Sequence, residues 1–469
     1  MWRAHAALPQ WTGCCRATSA CRALSVSARR RMDHVPQSLV RGNRSSGTGA
    51  ENLALNERVQ ALIASGHDII NLAFGQAPFP PMDLAVKALQ ENAHVTQYEP
   101  VRGIRPLREA IVKYHAAQDE LEFDPDNMIV GPGSKELIFL LMAVFDGDII
   151  LPSPAWVTYK PQAVLAGHEP VVMELSVADE WRVTPEILAQ TVLNKCSSKN
   201  KLLIFCNPDN PTGAGYSRDH LQSLVPVLRE HNIIVLSDEI YGHLTYSRDH
   251  VSLAKFCPER TILSSGLSKW ASAGGWRLGY SAYPSQLAAL CSAVASAASH
   301  TYTSASAPIQ HAAVQIYRNI PTSQEYSRHC TRILAAVAKY SRSELTKCGL
   351  KCIAPVGGFY LFVDFEILRP HMARMGMKTA DDLFARILDD VQVALLSGSP
   401  GLLRSEQELS ARLSFTDFNG ADALGASQTD GLPLDNALTP EFVEKYCCRV
   451  VDGIQVHLHV SHYLPICIG

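Results

Sequence analysis

The sequence predicts an α/β protein with a mostly parallel β-sheet covered by helices on both sides. From about residue 70 to 320, short apolar runs of β type alternate with stretches of helical periodicity. The runs are rich in β-branched residues and lack alternating polar positions, as expected of strands buried on both faces. Such alternation indicates parallel strands joined by helical crossovers. The clearest runs are Met128–Val130, Asp148–Leu151, Lys201–Phe205 and Asn232–Leu236.

The N-terminal part of the folded chain begins near Glu51. Asn56–Ile63 has helical spacing, and Gly66 is expected to end that helix. Asp68–Gly75 is interpreted as a strand that runs into a turn rich in Gly and Pro. Further along, the apolar run Leu137–Phe145 is too short to cross a bilayer and predicts a buried helix.

The C-terminal third has a different pattern. A long helical stretch over about residues 305–347 leads into the apolar run Gly358–Phe365. Further helix and strand patterns end near Arg412–Phe415. Residues 419–437, rich in Gly, Ala, Asp and Ser, are predicted to form a surface loop.

Composition excludes several classes of protein. The 469 residues are 47% hydrophobic and 19% charged, which is typical of a globular protein. A net charge of −3 gives no reason to expect a nucleic-acid partner or attraction to anionic membranes. The 13 cysteines include no Cys-x-x-Cys pair, so zinc-ribbon and thioredoxin-like sites are not expected.

Residues 1–48 differ from the rest of the chain. They contain eight Arg, no Lys and a single acid, Asp33. Ser, Ala and Cys are also frequent, and this composition is typical of an import leader, so a mitochondrial location is predicted. The alternative is an untargeted N-terminal extension on a cytoplasmic protein.

Lys269 lies in the most informative segment of the chain. The segment runs from Ser264 through Lys269 to Arg277 and Tyr280. A lysine can form an imine, and an arginine nearby can hold a phosphate. Asp238, directly after a strand, could keep a pyridine nitrogen protonated. These groups together are what a protein needs to use pyridoxal 5′-phosphate (PLP).

Other motifs supply further groups for the same cofactor. Tyr241 and Asn210, the latter in an Asn-Pro-Asp-Asn-Pro-Thr-Gly string, could hydrogen-bond a ring oxygen. The Gly133-Ser134-Lys135 turn offers backbone N–H groups at a helix start, which suits a phosphate. A nucleotide P-loop is excluded there because its Gly-x-x-x-x-Gly-Lys spacing is absent.

Two larger side chains complete the candidate site. Trp156 could stack on a pyridine ring, with a core tryptophan as the alternative. Arg412, on an apolar strand, could bind a substrate carboxylate. A buried arginine needs an anionic partner, so a structural Asp or Glu is an equally good interpretation. No metal is expected at His457, His459 and His462, because no acid or Cys cluster accompanies them.

Taken together, these motifs resemble the class I/II aminotransferases of PLP fold type I, in particular the prokaryote-type aspartate aminotransferase branch. The resemblance covers about residues 52–455. It implies a large domain with a mostly parallel sheet, residues 76–319, and a smaller α+β domain from residues 49–75 and 320–469. It also implies a homodimer that moves an amino group between a small-molecule L-amino acid, either aspartate-like or of a broad range, and a 2-oxo acid such as 2-oxoglutarate.

The resemblance further implies individual roles. Lys269 matches the Schiff-base lysine, Asp238 the partner of the pyridine nitrogen, and Arg277 the phosphate arginine. Additional matches are Tyr241 and Asn210 at the ring hydroxyl, Gly133, Ser134 and Lys135 in the phosphate loop, Trp156 at the ring face, Gly75 and Arg412 at the substrate carboxylate, and Tyr98, which reaches the neighbouring subunit's phosphate.

Substrate and reaction type stay open at this level. Lys135 matches a lysine that reads the distal carboxylate of aspartate or glutamate in some members, whereas pairing with Glu136 is the plain alternative. The usual Pro-Gly turn before the carboxylate arginine is replaced by Ser397-Gly398-Ser399-Pro400-Gly401, which puts specificity in doubt. The same fold serves C–S lyases and ring-forming synthases, and a non-catalytic regulator is a further alternative.

Overall fold

The computed structural model describes residues 51–459. Its α-helices, in chain order, are α1 Glu51–Ala64, α2 Asp83–Asn92, α3 Arg105–Gln118, α4 Ser134–Val144, α5 Tyr159–Ala166, α6 Pro185–Lys195, α7 Arg218–Glu230, α8 Ala288–Thr301, α9 Ala307–Arg318, α10 Ile320–Lys347, α11 Arg369–Arg374, α12 Ala380–Val391, α13 Gly420–Thr429, α14 Pro440–Tyr446 and α15 Cys448–His459. Within this part of the chain, no helix has both the length and the apolar character needed to cross a membrane.

The strands form one large sheet and two small ones. In chain order they are β1 Ile70–Asn71, β2 Met128–Gly131, β3 Asp148–Ser153, β4 Val171–Glu174, β5 Lys201–Cys206, β6 Ile233–Asp238, β7 Thr261–Gly266, β8 Gly279–Ala282, β9 Tyr360–Asp364, β10 Val393–Ala394, β11 Leu396–Ser397 and β12 Ser410–Ser414.

The large sheet confirms the predicted α/β class. Its seven strands lie in the order β2-β8-β7-β6-β5-β3-β4. Only β8 runs against its neighbours, and the pairs from β7 to β4 are parallel. The carboxyl ends of the other six strands therefore share one edge, where ligand groups gather in open α/β sheets.

Helices cover both faces of this sheet, because successive strand residues point to opposite sides. Leu202 and Ile204 of β5 pack with α4 and α8, whereas Leu203 and Phe205 pack with α6 and α7. Burial on both faces explains why these strands lack the polar alternation of a half-exposed strand.

There are two small sheets, of which the first joins both ends of the described chain and the second comes from its C-terminal third. In one, β1 pairs in parallel with β10, so that Ile70 lies opposite Val393. In the other, β12 lies between β11 and β9 in antiparallel pairing, with Arg412 opposite Phe362. The predicted boundaries of the two domains stay a prediction.

The predicted strand Asp68–Gly75 is wrong beyond two residues. Only Ile70–Asn71 pairs in a sheet. The Asn71 side-chain oxygen accepts hydrogen bonds from the backbone N–H groups of Ala73 and Phe74, at 3.2 and 3.3 Å. This local turn competes with continued strand pairing, as is typical of asparagine.

The single long helix predicted over residues 305–347 is instead two helices, α9 and α10. Asn319 lies between them, with φ −90° and ψ 61°, outside the helical region. Pro321 lies in the first turn of α10, where its missing N–H costs nothing. In the interior of one continuous helix the same proline would remove a hydrogen bond and clash with the preceding turn.

The surface loop predicted over 419–437 is also partly wrong, since α13 covers its first half. The Asn419 side-chain oxygen caps this helix by accepting from the backbone N–H groups of Ala421 and Asp422, at 3.1 and 3.3 Å. Ser427 is buried and hydrogen-bonds His329 of α10 at 2.9 Å. Packing against α10 outweighs the weak helix propensity of this segment.

Replacing the capping residue tests this assignment. Asn419→Ala is expected to destabilise the protein by about 1 kcal/mol, because two N–H groups at the start of α13 lose their acceptor. Asn419→Ser retains an N-cap oxygen and is expected to stay close to wild type. Urea unfolding followed by circular dichroism measures both variants, and equal stability of the two would contradict the cap.

Candidate active site

A cavity of about 520 Å³ lies where the carboxyl ends of the large-sheet strands meet β9 and β12. Most of the residues selected from the sequence line it. They are Gly75, Ser134, Lys135, Trp156, Asn210, Asp238, Tyr241, Lys269, Arg277 and Arg412.

Lys269 lies three residues beyond β7, inside this cavity. Its Nζ donates a hydrogen bond to the Gly75 carbonyl oxygen at 2.9 Å. Burial lowers the pKa of Lys269 to about 7, and the positive charges of Arg412 and Arg277 contribute to the shift. The amine is therefore neutral above about pH 7, and a neutral amine is the form that attacks a carbonyl.

Asp238 is the last residue of β6 and is fully buried. Burial raises its pKa to about 6, against the hydrogen bonds from the Tyr159 hydroxyl and the Ile240 N–H. The Tyr159 hydroxyl donates to Oδ2 at 2.7 Å. A buried carboxylate of this kind suits a protonated ring nitrogen, which would supply the missing positive charge.

Tyr159 was not selected from the sequence, although it follows Trp156 by three residues. Tyr159 lies in the first turn of α5, beside the ends of β3 and β5. Its closeness to Asp238 could be inferred only by someone who already knew the order of the strands in the sheet. Tyr360 of β9 was also missed. Its hydroxyl lies 3.1 Å from that of Tyr241, and its ring lies 4.5 Å from the Arg412 guanidinium.

Arg412 is 1% exposed and lies on the central strand of the three-stranded sheet. One Nη donates to Asn210 Oδ1 at 3.0 Å and the other to the Ala73 carbonyl oxygen at 2.7 Å, while Nε has no partner. The alternative partner for Arg412, a structural Asp or Glu, is not found within residues 51–459, because no described carboxylate forms an ion pair with it. Its charge thus faces neutral oxygens.

The Gly133-Ser134-Lys135 turn and Arg277 form a candidate cradle for an anion. Ser134 begins α4, whose first N–H groups lie at the positive end of the helix. Gly133 has φ +94°, and a Cβ there would lie 2.3 Å from an Arg277 Nη. Arg277 itself donates to the carbonyl oxygens of Gly274 and Pro132, at 2.9 and 3.3 Å. Helix start and guanidinium together suit a phosphate.

Lys135 and Trp156 lie on the same cavity wall. The Lys135 Nζ is 5.1 Å from the centre of the Trp156 ring. Burial lowers the pKa of Lys135, with a further contribution from Arg277. Lys135 forms no ion pair with Glu136, its alternative partner, among the ion pairs of the described residues.

Other selected residues lie elsewhere. The Tyr98 side chain is 89% exposed and does not line the cavity, so its role stays a prediction. His457 and His459 lie at the end of α15, and His462 lies outside the described residues.

The cavity fits PLP by the chemistry of its side chains. It combines a buried amine of low pKa, a buried carboxylate, two phenol or amide donors and an anion cradle. The arginine with an unpartnered Nε adds a place for a substrate carboxylate. A lysine tether, a ring-nitrogen partner and a phosphate site together define a PLP-dependent enzyme.

Comparison with known proteins agrees with this definition. The sequence model of the family "Aminotransferase class I and II" matches residues 67–419. Aspartate aminotransferase of Geobacillus stearothermophilus is 34% identical over 76% of this chain and 90% of that protein. For aspartate aminotransferase of Bacillus subtilis the identity is 31%, over 76% and 90%.

Solved structures give the same result. Aspartate aminotransferase of Thermus thermophilus with maleate superposes with a TM-score of 0.72 and 27% identity, covering 81% of this chain and 95% of that one. For the Thermotoga maritima aspartate aminotransferase the TM-score is 0.72 and the identity 27%, with coverage of 90% and 100%.

The chain belongs to the class I and II aminotransferase family. It is a PLP-dependent transaminase of fold type I, and the predicted family, fold class, cofactor and enzyme class are confirmed.

The predicted mitochondrial location is contradicted by the relatives. The aspartate aminotransferases of Geobacillus stearothermophilus, Bacillus subtilis and Thermotoga maritima come from bacteria, which have no mitochondria. The cytoplasmic alternative fits these relatives better. The Arg-rich composition of residues 1–48 was the sole basis for the prediction, and those residues lie outside the described structure.

The low pKa of Lys269 gives a pH-dependent prediction. In cofactor-free protein, modification of Lys269 by trinitrobenzenesulfonate should reach half its maximal rate near pH 7, because the neutral amine is the reactive form. Peptide mapping by mass spectrometry measures the modified fraction. Arg412→Gln removes a nearby positive charge and should move the midpoint to higher pH. A midpoint above pH 10 in wild-type protein would contradict the assignment.

Proposed function

We propose that this transaminase takes amino acids with a second, distal carboxylate, such as aspartate, and passes the amino group to a 2-oxo acid such as 2-oxoglutarate. The observation that carries the proposal is the pair of cations Arg412 and Lys135, which line one cavity and have no acid partner among the described residues. The names of the bacterial relatives, aspartate aminotransferases, support the same substrate class.

The cofactor would be held at both of its ends. The N–H groups of the Ser134 turn and the Arg277 guanidinium would bind the phosphate, and Asp238 would pair with the ring nitrogen. Tyr241 and Asn210 would donate to the ring oxygen, and Trp156 would cover the ring face. When bound, PLP supplies an electron-withdrawing ring that stabilises negative charge at the substrate's α-carbon.

Lys269 has the proton-transfer role in this proposal. Above about pH 7 its Nζ is neutral and takes the proton from the α-carbon of the amino acid. Nζ then holds that proton as an ammonium group. Burial and the charges of Arg412 and Arg277 keep the ammonium acidic enough to release the proton again.

Arg412 and Lys135 have different partners on the substrate. Arg412 would bind the α-carboxylate, which every amino acid carries, and its guanidinium is oriented for this by Asn210 and Ala73. Lys135 would bind the distal carboxylate, which neutral amino acids lack. A charge shielded from water without a partner is costly, so anion binding is favoured at the buried Arg412 and, to a smaller extent, at the half-buried Lys135.

The proposal includes a homodimer with a shared site. Tyr98 would reach the phosphate of the neighbouring subunit, which accounts for a large aromatic side chain that is 89% exposed in one protomer. The division into a large domain, residues 76–319, and a small domain from residues 49–75 and 320–469 belongs to the same proposal.

Two substitutions distinguish the proposed roles. Lys135→Ala should lower kcat/KM for aspartate by about 10- to 150-fold, because a hydrogen bond to a charged group contributes about 1.5–3 kcal/mol. The value for a neutral substrate such as alanine should change little. Arg412→Gln should lower kcat/KM for both substrates, since both carry the α-carboxylate.

The exposed Lys160 provides a matched control for Lys135. Lys160→Ala removes the same charge from the same region of the protein and should leave both substrates unaffected. Steady-state assays with 2-oxoglutarate as acceptor measure all three variants. An equal loss for aspartate and alanine in Lys135→Ala would contradict the substrate assignment.

A further inference from the structure

A second buried charge lies directly beside Asp238, on Glu239. The Glu239 side chain does not line the cofactor cavity, although Asp238, Ile240 and Tyr241 do. Its Oε1 accepts hydrogen bonds from the hydroxyls of Ser237 and Ser252, at 2.7 and 2.6 Å. The Glu239 carboxylate is thus buried and held on one oxygen by two hydroxyls.

His250 bonds the other oxygen of this carboxylate. The His250 Nε2 lies 2.8 Å from Glu239 Oε2, and both side chains are buried. The imidazole also packs against Gly242, where a Cβ would lie 3.0 Å from Nε2. His250 therefore contacts the turn after β6 at two points, Glu239 and Gly242.

The same turn is fixed by its backbone. The Glu239 N–H donates to the Ser264 carbonyl oxygen at 2.8 Å, and the Gly242 N–H donates to the Glu239 carbonyl oxygen at 2.9 Å. Asp238 and Tyr241, the two residues of this turn assigned to the cofactor ring, lie next to these anchored positions. The Glu239–His250 contact thus acts on the backbone that carries both of them.

The charge state of His250 depends on its neighbours. Burial lowers its pKa, but the hydrogen bond and the charge of Glu239 outweigh burial, with help from Asp119 and Asp249, and the net direction is upward. His243 faces the same cluster, and burial lowers its pKa to about 4, so it is neutral. The Glu239–His250 pair is then ionic below the raised pKa of His250.

His250 also lines a second cavity, of about 600 Å³, that contains none of the proposed cofactor or substrate groups. The other charged residues that line this cavity are Asp119, Glu120, Arg182, Arg218, Asp249 and Lys255. Protons can therefore reach the pair from a side that cofactor and substrate do not occupy.

We propose that the Glu239–His250 ion pair positions the turn bearing Asp238 and Tyr241, and that retention of PLP therefore depends on protonation of His250. This inference rests on the proposed roles of Asp238 and Tyr241. Below the pKa of His250 the pair is complete and the turn is fixed. As the pH rises through that pKa, Glu239 is left as an uncompensated buried anion beside Asp238, the turn loosens, and the cofactor leaves faster.

Release of PLP from the holoenzyme tests the inference without an activity assay. The protein is diluted into cofactor-free buffer at about pH 6 and about pH 9, on either side of the range in which a histidine with a raised pKa titrates. The PLP that stays with the protein after gel filtration at successive times gives the release rate. Wild-type protein should release PLP faster at the higher pH. His250→Gln keeps a hydrogen-bond donor but no charge, and should release it about tenfold faster at low pH, in line with the usual contribution of a hydrogen bond between charged groups.

The pH profile separates positioning from a simple packing role. The PLP release rate at the higher pH, divided by that at the lower pH, should be smaller for His250→Gln than for wild type. The Glu239→Gln/His250→Gln double variant should release PLP no faster than either single variant. His220, whose Nε2 lies 2.7 Å from the Val183 carbonyl oxygen and which does not line the cofactor cavity, provides the control, and His220→Gln should keep the wild-type profile. An unchanged pH ratio in His250→Gln would overturn the inference, even if both rates rose.

Asp238→Asn separates failure of this inference from failure of the proposed site. If Asp238→Asn retained PLP as wild type does, the role of Asp238 would be wrong and the inference would lose its basis. If Asp238→Asn released PLP quickly while His250→Gln kept the wild-type profile, only the Glu239–His250 inference would be overturned.

Discussion

An excess of positive charge over negative charge in the cavity is the constraint on which the active site depends. Lys135, Lys269, Arg277 and Arg412 line the cavity, and Asp238 is the only acid among the described residues that do so. Arg412 is buried, Lys135 and Lys269 are half-buried and only Arg277 is exposed, and keeping such charges from water without partners is costly, so the site favours anions. A cofactor that carries a phosphate and a substrate with two carboxylates would both restore the balance. Burial, with a contribution from the nearby charges of Arg412 and Arg277, lowers the pKa of Lys269 to about 7, so the reactive neutral amine predominates above that pH.

The fold places these groups by strand direction. Asp238 ends β6, Asn210 follows β5, Lys269 follows β7, and Ser134 follows β2, and all four strands run the same way. Each of these strands therefore has one such group at or just after its carboxyl end, at the same edge of the sheet. Arg412 comes from the separate three-stranded sheet, so its side chain reaches the same cavity from an element outside the large sheet.

The sequence predicted the parts of this arrangement that depend on local pattern. Strands buried on both faces are continuous apolar runs, and the motifs around Asn210, Asp238 and Lys269 follow such runs directly. The break between α9 and α10 was missed although Pro321 marks it, because helical periodicity continues on both sides. Helix α13 was missed because packing against α10, and not its own propensity, stabilises it.

Contacts across the fold could not be predicted. The partners of Arg412 come from residues 73 and 210, which are distant in sequence, and both are neutral oxygens. The bond from Tyr159 to Asp238 joins the first turn of α5 to the end of β6. The prediction of a mitochondrial location was wrong for another reason, because composition alone cannot distinguish an import leader from any other Arg-rich extension.

The covalent tether at Lys269 is the central claim, and one measurement tests it directly. Borohydride reduction of the holo-protein fixes PLP to the amine that holds it, and digestion with mass spectrometry then identifies the peptide. The account predicts a single PLP adduct on Lys269. An adduct on Lys135 or on another peptide, or a protein that takes up no PLP, would contradict it.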